Sequence, residues 1–251
     1  MKVYFVGGGP GDPKLLTVRA VELLKNCKCC VYAGSLVSPE VLSLLPADAE
    51  RHDSAGMDLT RIVEVFKRCA QGGIDVVRLH SGDPSIFGAI REQMNELDKL
   101  QIGYEVIPGV SSFQAAAAAL NLELTAPEVS QTVILARTAG RTPVPDEQDL
   151  DALGATRATL CLFLSVQGLK EAARKLAVHY GGDCPAAVVS RASWPDQRII
   201  NGTLADIADK TESAGISRTA MVIVGWALSR DIPVSRLYAP EFSHGYRKGG
   251  E

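Results

Sequence analysis

The sequence lacks the charge and the apolar runs that nucleic-acid and membrane proteins need. Its 26 Lys and Arg are outweighed by 29 Asp and Glu, which gives a net charge of −3. Such a chain has no global basic field to attract DNA, RNA or an anionic membrane surface. No apolar stretch approaches the roughly 20 residues needed to span a bilayer. We therefore expect neither a nucleic acid nor a membrane as partner.

Patterns typical of metal sites and of signal peptides are also missing. Three of the six cysteines stand in the run CKCC at 27–30, but C-x-C-C lacks the paired spacing of a structural zinc site and has no His nearby. We interpret these cysteines as small apolar residues of a buried strand and expect no metal. The start MKVYFVGGGPGDP has no charged n-region and no cleavage site. These features favour the reducing cytoplasm.

What is present is the composition and alternation of an α/β protein. Hydrophobic residues make up 46% of the 251 residues and charged residues 22%, as in chains that form a core. Strand-like and helix-like segments alternate, which predicts crossover units and a mainly parallel sheet in the first half. We expect an N-terminal α/β domain over 1–120, a linker over 121–130, a C-terminal α/β domain over 131–230 and an irregular tail over 231–251.

Predicted elements follow from hydrophobic periodicity and from capping and turn residues. In the first half, strands are predicted at 3–6, 29–33, 75–80 and 104–107, and helices after Pro39 and at 15–24, 58–71, 86–99 and 113–120. In the second half, strands are predicted at 132–136, 160–164, 186–190, 199–200 and 221–224, and helices at 169–179 and 204–213.

Three glycine-containing loops follow predicted strands: GGGPGDP at 7–13, SGDPSIFG at 81–88 and PGVSS at 108–112. The first is not a dinucleotide fingerprint, because G-x-G-x-x-G needs Gly where Asp12 stands and Pro10 lacks a backbone donor. NAD and ATP are therefore poor candidates. Ligands of open α/β sheets bind beyond the carboxyl ends of the strands, so three such loops together indicate a binding site. Asp83 can accept from a ribose hydroxyl, an ammonium or a backbone amide, and Ser111 and Ser112 can donate or accept.

These motifs, together with the late run AMVIVG, resemble the tetrapyrrole (corrin/porphyrin) methyltransferase family over about residues 1–230. Four further runs are similar to the branch that methylates C11 of precorrin-4, or of its cobalt form, in cobalamin biosynthesis. They are YAGSLVS at 32–38, SAGM at 54–57, QTVILARTAGRTPVP at 131–145 and SWPD at 193–196.

The resemblance implies a fold, a methyl donor and a set of site residues. It implies two α/β domains, with a mainly parallel N-terminal and a mixed C-terminal sheet, a cleft between them that binds S-adenosylmethionine, and commonly a homodimer. S-adenosylhomocysteine would be the product of the donor. The implied cofactor residues are Pro10, Ser81, Gly82, Asp83, Ile86, Ser111, Ser112, Leu164, Ala192, Ala220 and Met221.

The tetrapyrrole substrate that the resemblance implies carries many carboxylates, which planar guanidinium groups bind well. Arg137 and Arg141 in the RTAGRTPVP loop, and Arg191 beside Trp194, are the candidate substrate-binding residues. No catalytic residue is assigned, because an activated methyl group needs alignment with an electron-rich carbon more than it needs a base. Family members often carry Asp where this chain has Gly34, which argues against a proton-transfer role at that position.

Other functions stay open at this point. One alternative is a corrin-ring methyltransferase with different regiochemistry, and another is a non-catalytic module that binds S-adenosylmethionine. Such a module would keep the glycine loops but lose the arginines that face a large anionic substrate, whereas this chain has both. A protein-modifying relative of the diphthine-synthase kind should lack the RTAGRTPVP loop. A nicotinamide reductase is a more distant alternative.

Overall fold

The computed structural model describes residues 1–140, 142–233 and 235–248. The chain forms two compact units. The first contains Met1–Ala116 together with Arg191–Gln197, and the second contains Ala117–Ser190 and the chain from Arg198 onward. Arg191–Gln197 therefore groups with the first unit, although it lies within the predicted C-terminal domain. Among the described residues, no helix has the length and apolar character needed to cross a membrane.

The first unit is built on a five-stranded sheet whose strand pairs are all parallel. Its strands are β1 (Lys2–Gly7), β2 (Cys29–Tyr32), β3 (Glu50–Asp53), β4 (Val76–His80) and β5 (Gly103–Ile107). The order across the sheet is β3-β2-β4-β1-β5, so β1, β4 and β5 end side by side. The helices are α1 (Val18–Asn26), α2 (Pro39–Leu42), α3 (Leu59–Gln71), α4 (Arg91–Lys99) and α5 (Ser112–Ala119).

Helix α3 illustrates how the sequence fixes an element of this unit. The side chain of Asp58 accepts a hydrogen bond from the amide of Arg61 at 2.9 Å, which caps the helix start as predicted. Ile62, Phe66 and Cys69 follow at helical spacing and are buried against one face of the sheet. The polar residues between them lie on the exposed face. The helix thus covers the same face of the sheet that Val3 and Phe5 of β1 present.

The second unit is built on a mixed five-stranded sheet in the order β6-β7-β10-β8-β9. Its strands are β6 (Val133–Arg137), β7 (Thr159–Phe163), β8 (Pro185–Ser190), β9 (Arg198–Thr203) and β10 (Ala220–Val224). Only β6 and β7 pair in parallel, and the other three pairs are antiparallel. The helices are α6 (Leu150–Gly154), α7 (Leu169–Tyr180) and α8 (Ile207–Ser213). The predicted fold class, with a parallel first sheet and a mixed second one, is confirmed.

The bounds of some predicted elements differ from those of the structure. Helix α4 begins at Arg91 and not at 86, because Phe87 and Ala89 have φ angles of +52° and +49° and cannot continue a right-handed helix. Strand β3 was not predicted. Its sequence, ERHD, is polar throughout, and among the described strands this edge strand has only β2 as a neighbour. Helix α6 was not predicted either.

Strand β4 carries two polar side chains into the core of the first unit. Arg78 and His80 are 6% and 5% exposed. Arg78 donates from Nε to Oε1 of Gln93 at 2.9 Å and from a terminal nitrogen to the carbonyl of Val31 at 3.3 Å. Burial lowers the pKa of Arg78 to about 10. The Nε2 atom of His80 has no hydrogen-bond partner among the described residues, and burial, with the nearby Arg78 charge, lowers the pKa of His80 to about 3.

We expect His80 to make the protein sensitive to acid. Below about pH 6.5 the unfolded chain takes up a proton at His80 that the folded chain does not, so the free energy of unfolding falls as the pH falls. The expected contribution is about 2 kcal/mol between about pH 7 and pH 5. Urea denaturation of the wild type and of His80→Leu at a series of pH values measures it, with His244→Gln as the control for an exposed histidine. Equal pH slopes in the wild type and His80→Leu would contradict the expectation.

Candidate functional site

Three loops meet where β1, β4 and β5 end, and glycines let their backbones touch. A Cβ atom added to Gly7 would lie 2.6 Å from the backbone of Gly109 and 2.8 Å from the carbonyl oxygen of Gly82. A Cβ added to Gly109 would collide with the same carbonyl oxygen. Because real Cβ atoms do not approach so closely, this packing requires glycine at both positions. The three sequence motifs therefore form one continuous backbone surface.

Backbone hydrogen bonds join the first loop to the second. The amide of Gly8 donates to the carbonyl of His80 at 2.6 Å, and Gly9 and Gly82 bond each other through both amides, at 2.7 and 3.3 Å. Gly9 and Gly82 have φ angles of +64° and +61°, a region that other residues rarely adopt. Gly9 and Gly82 thus form an isolated antiparallel bridge beyond the parallel β1–β4 ladder, and this bridge joins the two loops.

Asp83 ties the second loop to the third. Its Oδ1 atom accepts from the amide of Ser85 at 2.7 Å, and its Oδ2 atom accepts from the amide of Gly109 at 2.9 Å. Of the three partners predicted for this carboxylate, the structure provides the backbone amide. A carboxylate that accepts two amide hydrogen bonds holds both loops in place more strongly than a neutral acceptor would.

The third loop leads into helix α5. The amide of Ser111 donates to Oε1 of Gln114 at 2.9 Å, while the carbonyl of Ser111 accepts from the amides of Gln114 and Ala115. This reciprocal arrangement resembles a capping box and fixes the start of the helix. Ser111 is buried and its Cα lies next to Gly82, whereas Ser112, the first helical residue, is partly exposed. Amides in a first helical turn have no acceptor within the helix, so this end suits a negatively charged group.

A segment from far along the sequence holds the first loop. Nε1 of Trp194 donates to the carbonyl of Pro10 at 2.7 Å, and the amide of Asp12 donates to Oγ of Ser193 at 3.0 Å. The indole ring lies directly on Gly11, where an added Cβ would collide with it. The first loop has a further partner, because Oγ of Ser38 donates to the carbonyl of Gly11 at 2.6 Å. The segment Arg191–Gln197 thus packs against residues 10–12 of the first loop.

The structure distributes the predicted cofactor residues over both units. Pro10, Ser81, Gly82, Asp83, Ile86, Ser111 and Ser112 lie on the three loops, and Ala192 lies in the Arg191–Gln197 segment of the same unit. In the second unit, Leu164 follows β7 with 75% of its surface exposed and a φ of +54°, an unusual state for a large apolar residue. Ala220 and Met221 begin β10, and the Met221 side chain is buried. Their roles toward a cofactor stay predictions.

Two of the three arginines predicted to bind substrate, Arg137 and Arg191, already have partners within the protein. Arg137 donates to the carbonyls of Thr138, Thr142 and Pro143 at 2.7–3.3 Å, so it holds its own loop closed. Arg191 pairs with Asp196 at 2.7 Å and lies 5.1 Å from the ring centre of Trp194. Arg141 lies outside the described residues.

Asp53, a residue that the sequence did not indicate, lies beside Gly34. A Cβ added to Gly34 would collide with the carboxylate of Asp53, which accepts from the amides of Gly34 and Ala55 at 3.1 and 2.8 Å. A side chain at position 34 would therefore have to displace the carboxylate of Asp53. The carboxylate beside this turn comes from the end of β3 instead.

Comparison with known proteins gives a consistent result. A sequence model of the tetrapyrrole (corrin/porphyrin) methylases matches residues 2–208. A precorrin-4 C(11)-methyltransferase from Sinorhizobium sp is 45% identical over the whole of both chains. The solved structure of a cobalt precorrin-4 methyltransferase of cobalamin biosynthesis matches with a TM-score of 0.88 and 41% identity, over 91% of this chain and 96% of that one. A uroporphyrin-III C-methyl transferase from Thermus thermophilus, complexed with S-adenyl homocysteine, matches with a TM-score of 0.75 and 30% identity, over 91% and 99%.

We expect the variant Trp194→Phe to loosen the first loop while leaving the fold intact. It keeps an aromatic ring over Gly11 but removes the hydrogen bond to Pro10, at a cost of about 1 kcal/mol. Hydrogen exchange of the amides at 8–12 should therefore become faster. The control is Trp226→Phe, which removes a similar bond to the carbonyl of Tyr180 in the second unit. Unchanged exchange at 8–12 in Trp194→Phe would show that the indole does not hold the loop.

Proposed function

The chain belongs to the tetrapyrrole (corrin/porphyrin) methylase family, and we propose that it transfers a methyl group from S-adenosylmethionine to C11 of precorrin-4 or cobalt-precorrin-4. The step would belong to cobalamin biosynthesis. The observation that carries the proposal is the 45% identity over the full chain to a precorrin-4 C(11)-methyltransferase, combined with a solved cobalt precorrin-4 relative at a TM-score of 0.88.

The chemistry of the three loops fits S-adenosylmethionine. A ligand with hydroxyl, ammonium and carboxylate groups needs both acceptors and donors, and the loops supply backbone carbonyls, the hydroxyls of Ser81 and Ser112, and the first turn of α5. The packing of Gly7 against Gly109 keeps side chains away from this backbone surface. When bound, S-adenosylmethionine supplies an activated methyl group on a sulfonium. Ser112 and the start of α5 would hold its carboxylate, because helix N-termini favour negative charge.

The residues of the chain contribute position more than acid–base chemistry. Asp83 holds the second and third loops together, and Trp194 and Ser193 hold the first. Loops fixed in this way keep a bound methyl donor in one orientation before reaction, which removes an entropic part of the barrier. We assign no catalytic acid or base.

The anionic substrate would be recognised through the loop that Arg137 organises. Because Arg137 donates to three carbonyls of residues 138–143, it supports the RTAGRTPVP loop from inside. We propose that this loop, with Arg141, binds substrate carboxylates, and, as a separate proposal, that Arg191, which lies 5.1 Å from the ring centre of Trp194, also binds carboxylates. We further propose that the protein is a homodimer and that it works in the cytoplasm. Light scattering of the purified protein would test the dimer through its molar mass.

Methyl transfer itself is tested with purified precorrin-4 and cobalt-precorrin-4. Incubation with S-adenosylmethionine that carries a ¹³C-labelled methyl, followed by NMR of the product, should place the label on C11. The ratio of kcat/KM for the two substrates shows which form is preferred. A label on another ring carbon would indicate different regiochemistry, and binding of the donor without transfer to either substrate would indicate a non-catalytic module.

Binding of the methyl donor is tested at Asp83. The variant Asp83→Asn keeps the size of the side chain but replaces one acceptor oxygen with an NH₂ group, so the tie to Ser85 or to Gly109 is lost. We expect about tenfold weaker binding of S-adenosylmethionine in calorimetry, which corresponds to one charged hydrogen bond. Asp209→Asn, an exposed position in the second unit, serves as the control. Wild-type affinity in Asp83→Asn would contradict the proposed site.

A further inference from the structure

Two cysteines and a glutamate that are distant in sequence come together beside the edge strand of the first sheet. Cys29 on β2 and Glu50 on β3 are register partners, so their side chains leave the sheet on the same face. Cys69, near the end of α3, packs onto this face. One ligand atom from each of the three residues lies within 4.8 Å of the other two.

The cluster is buried on its sulfur side and open to solvent on its carboxylate side. Both thiols are nearly inaccessible, at 1% and 2% exposure, whereas about half of the Glu50 side chain is exposed and offers a route from solvent. Nε2 of His52, two residues further along β3, lies 3.0 Å from Oε1 of Glu50. The guanidinium of Arg68 also contacts this oxygen and lies 3.1 Å from Nε2 of His52. A metal ion would therefore have to displace Arg68 from the Glu50 carboxylate.

We propose that Cys29, Cys69 and Glu50 bind a thiophilic divalent cation of the Zn²⁺ class. Thiolate, imidazole and carboxylate are the ligands that zinc takes in proteins, and in a tetrahedral site they lie roughly 3.5 Å apart. The ligand atoms of Cys29, Cys69 and Glu50, which lie within 4.8 Å of one another, therefore need only small side-chain rotations to reach this geometry. On binding, each thiol releases one proton to solvent and forms a sulfur–metal bond, and Arg68 leaves Glu50.

A cation at this site would fasten the weakest strand of the first sheet. Strand β3 has four residues and, in the part of the chain that the structure describes, pairs only with β2, so its hydrogen-bond partners there lie on one side. Ligands from β2, β3 and α3 would join the two paired strands to the helix, which otherwise contacts them through packing and through the ion pair between Arg68 and Glu50. The inference is independent of methyl transfer, because none of these residues lies on the three glycine-containing loops.

The test uses the full-length protein after treatment with a chelator. We expect it to bind one equivalent of Zn²⁺ in competition with a chromophoric chelator, and Co²⁺ to give a sulfur-to-metal charge-transfer band typical of two thiolates. Cys69→Ala should weaken Zn²⁺ binding more than about 100-fold. The control is Cys30→Ala, a buried cysteine of the same strand whose side chain packs in the core on the opposite face.

Two surface variants keep the test decisive if a buried substitution harms folding. Glu50→Gln should weaken Zn²⁺ binding, and Arg68→Gln should strengthen it, because Arg68 competes for the same carboxylate. Zn²⁺ should also raise the Tm of the wild type and of Cys30→Ala, but not that of Cys69→Ala. Absence of stoichiometric binding, or binding that persists unchanged in Cys69→Ala and Glu50→Gln, would overturn the proposal.

Discussion

The direct packing of backbone on backbone between Gly7, Gly82 and Gly109 is the constraint on which the first unit depends. Parallel strands β1, β4 and β5 bring three loops to one edge, but side chains would keep these loops apart. With glycine at the contacts, the loops can share hydrogen bonds, and the carboxylate of Asp83 can reach an amide 26 residues away. A rigid surface of amides and carbonyls results, and such a surface is suited to holding a polar ligand by its heteroatoms.

Much of the fold could be predicted from the sequence because local signals and the tertiary structure agree. The buried runs of β1, β4 and β7 and the cap at Asp58 each carry their own signature, and the glycine loops mark the edge of the sheet where ligands bind. Strand β3 had no such signature, since its four residues are polar and its pairing is decided by β2. The late start of α4 depends on left-handed backbone at Phe87 and Ala89, which neither residue type favours.

The candidate site was predictable as a set of loops but not in its internal contacts. A sequence shows that Asp83 can accept a hydrogen bond, whereas only the fold shows that two amides already occupy it. Arg137 likewise has the appearance of a free cation in the sequence and turns out to hold three carbonyls of its own loop. The buried pair Arg78 and His80 gave no signal, because polar residues within a strand pattern are normally expected at the surface.

The hydrogen bond between Trp194 and Pro10 also bears on the order in which the polypeptide can mature. The two partners are 184 positions apart, yet both belong to the first compact unit. While the chain emerges from the ribosome, the opening β1 strand and its turn are made long before the indole that covers them exists. In a nascent chain that ends before Trp194, no indole ring covers Gly11. The edge that we propose to bind the methyl donor is thus completed only after a further 184 residues have followed Pro10 out of the ribosome, which would delay binding competence.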